Sequence, residues 1–136
     1  MNIHRNLSVF VLLLLITACQ KDYYGIPDVI VNETFSTIEY HQLEVAGGYA
    51  MSNTGGVAGV LVYNTGGGYV AFDRCSTVNP EKRCAIEVDS TGIVVNDPCS
   101  GAKFDIRNGM PSKAPAERPL KPYQVRREGN IIRVIN

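Results

Sequence analysis

The chain has no tryptophan and only two histidines, His4 and His41, among its 136 residues. A site built from several imidazoles is therefore beyond a single copy. The 13 basic and 13 acidic residues cancel to a formal net charge of +0, which leaves no excess of positive charge for a general nucleic-acid binder. From Asp28 onward no window carries the 3.6-residue apolar spacing of a long amphipathic helix. A phosphate-cradling loop is also missing. Gly66-Gly67-Gly68 precedes a strand pattern rather than a helix, no lysine is placed to reach a phosphate, and the triplet reads as a hairpin turn. Cys75, Cys84, Cys99, Asp97 and His41 have the chemistry of zinc ligands. No two cysteines, however, show the close Cys-x-x-Cys spacing of a structural site, and no metal is expected.

What is there begins with a leader. Residues 1–18 have a basic start at Arg5, an apolar core from Val9 to Ile16, and small residues before Cys19. That is the layout of a secretory signal peptide rather than of a membrane span. Leu15-Ile16-Thr17-Ala18-Cys19 resembles the bacterial lipobox, which implies cleavage before Cys19 and acylation of that cysteine. Residues 19–27 then read as a short lipid-anchored tether ending in Gly25-Ile26-Pro27. Gln20, where an aspartate would favour retention in the inner membrane, implies the outer membrane of a Gram-negative envelope.

Cleavage leaves 118 residues, enough for one domain, 28–136, that can fold on its own apolar core without a metal. Its charge is uneven. Cys19 to Ala102 carries four basic and ten acidic residues, Lys103 to Asn136 eight basic and three acidic. Solvated strand faces beside acidic neighbours account for that pattern better than an anionic partner does.

The domain reads as all β. Val29, Val31 and Phe35, then Ile38, Tyr40, Leu43 and Val45, alternate with polar residues, with one slip between Tyr40 and Leu43. Ala58 to Tyr63 and Tyr69 to Asp73 flank a glycine-rich turn and form the clearest hairpin. A loop from Arg74 to Arg83, strands at Ala85 to Val88, Ile93 to Asn96 and Lys103 to Asp105, and a hairpin of Leu120 to Arg127 with Ile131 to Ile135 complete the chain. Many short strands with glycine turns predict a small antiparallel barrel or sandwich.

Three separated motifs, in order, carry a family resemblance. Asp97-Pro98-Cys99-Ser100-Gly101-Ala102-Lys103-Phe104-Asp105 resembles the second cluster-binding loop of Rieske iron–sulfur domains, Cys-Pro-x-His-Gly-Ser-x-Phe-Asp. Tyr69 to Arg74 resembles the strand entering the first loop, so that Cys75-Ser76-Thr77 stands at the family's Cys-x-His. Ala114-Pro115-Ala116-Glu117-Arg118-Pro119-Leu120 is similar to the proline segment packed over the cluster. The resemblance spans Tyr69 to Asn136. It implies a Rieske-like barrel with a loop-rich former cluster-binding subdomain.

It also implies that the chemistry has gone. The former ligand positions are Cys75, Thr77, Asp97 and Ser100, and only the first keeps its ligand type. A Rieske cluster needs two thiolates and two imidazoles, whereas His4 leaves with the leader and His41 lies outside both loops. The expectation is a protein with no cluster and no catalytic residues, held to the membrane by its lipid anchor and serving as a binding or structural module toward an envelope protein or ligand. A redox or electron-transfer protein with atypical ligands or a working disulfide is the alternative. Cys99 matches the cysteine that ties the two loops together in some family members. Its partner by that resemblance is Cys84 or, if the first loop is displaced, Cys75.

Overall fold

The computed structural model describes residues 22–136. The segment expected to be a leader, the lipobox-like stretch and Cys19 lie outside the described residues. No helix among the described residues is long and apolar enough to cross a membrane.

Among the described residues ten strands follow in chain order: β1 (Asn32–Ser36), β2 (Tyr49–Ser52), β3 (Val60–Asn64), β4 (Tyr69–Asp73), β5 (Glu87–Val88), β6 (Val94–Asn96), β7 (Lys103–Asp105), β8 (Pro111–Lys113), β9 (Pro122–Glu128) and β10 (Ile131–Ile135). Six of them form one antiparallel sheet in the order β1-β10-β9-β4-β3-β2, and β5 to β8 form a second sheet of four. The large sheet curls until its edges face each other. Glu33 on β1 accepts hydrogen bonds from the Ser52 hydroxyl on β2 (3.3 Å) and from the Thr54 hydroxyl (3.1 Å). Side chains thus span the seam that backbone pairing leaves open, and the result is the all-β, nearly closed barrel with a loop-rich subdomain that the sequence led us to expect.

β3 shows how the two sheets share a core. All five of its residues are buried. Because successive side chains in a strand point to opposite faces, Val60 and Val62 enter the barrel interior with Phe35, Ala71 and Ile132. Leu61 and Tyr63 turn outward to meet Phe72, Val95, Phe104 and Leu120 under the small sheet. The subdomain between β4 and β9 is therefore anchored by apolar burial on the outside of the barrel.

Two expectations need correction. The apolar alternation from Ile38 to Val45 is not a strand. His41–Glu44 is a 3-10 turn, and of the alternating residues Leu43 is buried while Ile38 and Val45 are exposed. The Leu43 carbonyl is taken by the Asn64 side-chain amide (2.8 Å) and the Tyr69 hydroxyl (2.9 Å) rather than by a neighbouring strand. The packed unit also starts before Asp28, inside the segment read as tether. Ile26 is fully buried. The buried Lys121 ammonium donates to the carbonyls of Ile26 (3.0 Å) and Pro27 (3.1 Å) and to the Asp28 carboxylate (2.5 Å).

Candidate functional site

β4 delivers the chain into the first loop through a buried carboxylate. Asp73 is fully buried and accepts from the main-chain N–H groups of Val57 (2.7 Å), Ala58 (3.2 Å) and Cys75 (2.7 Å) and from the Tyr123 hydroxyl (2.6 Å). Burial and the Asp73 carboxylate push the Tyr123 phenol far above its ordinary range. Four donors on one carboxylate fix where the first loop leaves the barrel.

Cys75 follows, buried and free. Its sulfur faces the Ser76 and Pro80 carbonyls at 3.7 and 3.6 Å. Burial, helped by the Asp73 charge, pushes its thiol up to about 11, so at neutral pH it is a protonated, weakly nucleophilic thiol. Thr77 is turned into the structure as well. Its hydroxyl donates to the Arg118 carbonyl (2.8 Å), and the Arg118 guanidinium returns a hydrogen bond to the Thr77 carbonyl (2.9 Å). That exchange ties the first loop to the proline segment.

The second loop is a tight turn closed by Gly101, whose N–H meets the Asp97 carbonyl (2.8 Å) and whose φ of +77° favours a residue without a Cβ. The Asp97 side chain is 1 % exposed and serves as a hub. Its Oδ2 accepts from the hydroxyls of Ser76 (2.7 Å) and Ser100 (2.6 Å). Its Oδ1 accepts from the N–H groups of Cys99 (2.8 Å) and Ser100 (3.3 Å). Each serine also takes a main-chain N–H, from Val78 (3.1 Å) and Ala102 (3.2 Å) respectively. Desolvation works against the Asp97 carboxylate, but the hydrogen bonds from Ser100 and Ser76 outweigh it and hold the group below its ordinary range.

Beside this hub Cys84 and Cys99 are joined in a disulfide. The alternative partner Cys75 is not in it. One carboxylate oxygen of Asp97 and the two disulfide sulfurs lie within 4.8 Å of one another. Of the five residues with zinc-ligand chemistry, three are thus together. His41 is exposed on the 3-10 turn, whose Leu43 carbonyl is held by Tyr69 at the far end of β4 from Cys75. It cannot act as a base for that thiol.

A cleft of about 330 Å³ opens beside the loops, lined by Thr77, Val78, Asn79, Ser100, Pro115, Glu117 and Arg118. Ser76 and Arg118 complete the loop junction and were not among the sites expected from sequence. Ser76 falls at the unspecified middle residue of the Cys-x-His that the resemblance lays over this loop, so its only signal is its place between two positions of interest.

No protein-family model matches the chain, and no curated protein matches it. Solved structures do. The plasma-membrane Rieske protein of the cyanobacterium Synechocystis PCC 6803 is similar at 25 % identity and a TM-score of 0.56, covering 80 % of this chain and all of that one. The ferredoxin of carbazole 1,9a-dioxygenase from Nocardioides aromaticivorans IC177 is similar at 20 % identity and a TM-score of 0.52, covering 79 % of this chain and 95 % of that one. The fold is Rieske-like.

The residues that the family resemblance sets at the ligand positions do not fit a Rieske cluster. They offer one buried protonated thiol, two hydroxyls and a carboxylate where two thiolates and two imidazoles are required. The threonine hydroxyl is moreover turned away to the Arg118 carbonyl.

Proposed function

We propose that the protein is a lipid-anchored envelope protein whose Rieske-like domain works without an iron–sulfur cluster, as a binding or structural module near the outer membrane of a Gram-negative bacterium. The observation that carries the cluster-free reading is the Asp97 hub. A carboxylate at a former ligand position holds the serine of the other loop and the serine at the lost histidine position, so hydrogen bonds take over the work of joining the loops. The cleft beside Ser100, with Glu117 and Arg118 on its wall, is the surface this module offers a partner or ligand. The anchor at Cys19 rests on the lipobox-like stretch alone.

A second reading, a redox protein in which the loop disulfide is cycled, is favoured by the exposure of Cys99. Exposure gives a dithiol partner access to one sulfur.

Protein purified from its native membrane tests the first reading. It is expected to contain no acid-labile sulfide and no visible iron–sulfur absorption, and either signal at one cluster per chain would overturn the reading. The anchor is tested separately by Cys19→Ser, which should release the protein from the membrane fraction. Unchanged fractionation would remove the lipid from the account.

A further inference from the structure

The disulfide and the Asp97 carboxylate together have the parts of a metal site that only the oxidised state conceals. Two thiolates bound to one tetrahedral ion of the zinc class, with metal–sulfur bonds of about 2.3 Å, stand roughly 3.8 Å apart, and a carboxylate oxygen reaches the same ion at about 2.0–2.2 Å. Here the two sulfurs and the Asp97 oxygen already lie within 4.8 Å of one another. The change required is the opening of one S–S bond by about the width of an ion.

The loops need not come apart when that happens. The Ser76 hydroxyl holds Asp97 across them, and the Ser76 N–H donates to the Cys84 carbonyl at 2.9 Å. Neither contact uses a cysteine sulfur, so breaking the S–S bond does not by itself remove either of them. The hydroxyls of Ser76 and Ser100 on Asp97 are placed as the outer hydrogen-bond partners that orient a carboxylate ligand. Cys99 is exposed, so an ion has a path in and water can fill a fourth position.

We propose that Cys84, Cys99 and Asp97 form a redox-gated site for one thiophilic divalent cation. A dithiol reductant supplies two electrons and two protons, becomes a disulfide itself, and leaves Cys84 and Cys99 as thiols. The cation then displaces those two protons as the thiolates bind, and Asp97 contributes one oxygen. Cys75, whose sulfur faces main-chain carbonyls, is not part of the site. This inference does not depend on the cluster-free reading, because one ion without sulfide is not a two-iron centre.

Cobalt(II) is the probe. Full-length protein in detergent, either oxidised or reduced and then freed of reductant without oxygen, is titrated with it. The reduced protein should take up one ion per chain with thiolate-to-cobalt absorption, and the oxidised protein none. Cys99→Ser should abolish the band, whereas Cys75→Ala should keep it. Asp97→Asn should weaken binding by about tenfold or more, since loss of even an outer partner commonly costs 10–100-fold. A melt of each reduced variant separates loss of ligand from loss of fold, because bound cobalt should raise the melting temperature only where the site is intact. No stoichiometric uptake by reduced folded protein, equal uptake by the oxidised form, or a band that survives Cys99→Ser would overturn the proposal.

Discussion

Ser76 and Asp97, 21 positions apart in sequence, meet across the two loops through a hydroxyl–carboxylate hydrogen bond of 2.7 Å, with both residues buried. The bond joins the first loop to the second at the place where the family resemblance puts a cluster between them. A buried charge demands such partners, because a carboxylate without donors would carry its full desolvation cost.

Stability should therefore respond to acid through Asp97. Its carboxyl is held below the ordinary value of 3.8 in the folded protein. Its contribution is complete above the unfolded value, near pH 4, and is lost as pH falls through the lower folded value. Asp97→Asn should cost about 1.5–3 kcal/mol at neutral pH, the scale of hydrogen bonds to a charged group. It should also flatten the loss of stability below about pH 4. Denaturant melts of both proteins between acid and neutral pH measure it, and a parallel acid limb in the variant would place the dependence elsewhere.

The Cys84–Cys99 bridge closes a loop of separation 15. A cross-link of that span restricts the unfolded chain by about 3 kcal/mol. Replacing both cysteines by alanine should lower the melting temperature while the barrel, whose core lies on the other side of β3, stays folded. Near-ultraviolet circular dichroism with a thermal melt reads both effects. Loss of the fold at room temperature would show that the bridge, not the apolar core, carries the domain.

Lys121 clamps the chain from Ile26 to Asp28. Lys121→Met keeps the apolar stem but leaves two carbonyls without their donor, an expected loss of about 1–3 kcal/mol. It should also make the segment before β1 sensitive to limited proteolysis. Resistance equal to the parent protein's would mean that burial of Ile26 alone holds the segment.

The legible and the illegible parts of the chain differ for physical reasons. The β3–β4 and β9–β10 hairpins were readable because apolar residues and a glycine turn state both the strand and its reversal within a dozen positions. The continuous run Val60-Leu61-Val62-Tyr63 also signals burial on both faces. Ile38 to Val45 misled because alternation there reflects one buried leucine, Leu43, on a 3-10 turn, with Ile38 and Val45 in solvent. Ile26 and Lys121 lie 95 positions apart, so nothing local could mark either as a docking point. The loop motif sets Asp97, Cys99 and Ser100 in one short loop, and the chain there is a tight turn closed by the Gly101 N–H on the Asp97 carbonyl. The hub itself needs Ser76 from the other loop, and only the tertiary fold supplies it.

The most direct test of the central claim is reconstitution. The reduced protein is supplied with iron and sulfide, then examined by paramagnetic resonance after dithionite reduction and by assay of acid-labile sulfide. The account predicts no Rieske-type signal, no bound sulfide, and at most one iron per chain. Two irons and two sulfides per chain, with nitrogen ligation in the spectrum, would contradict it.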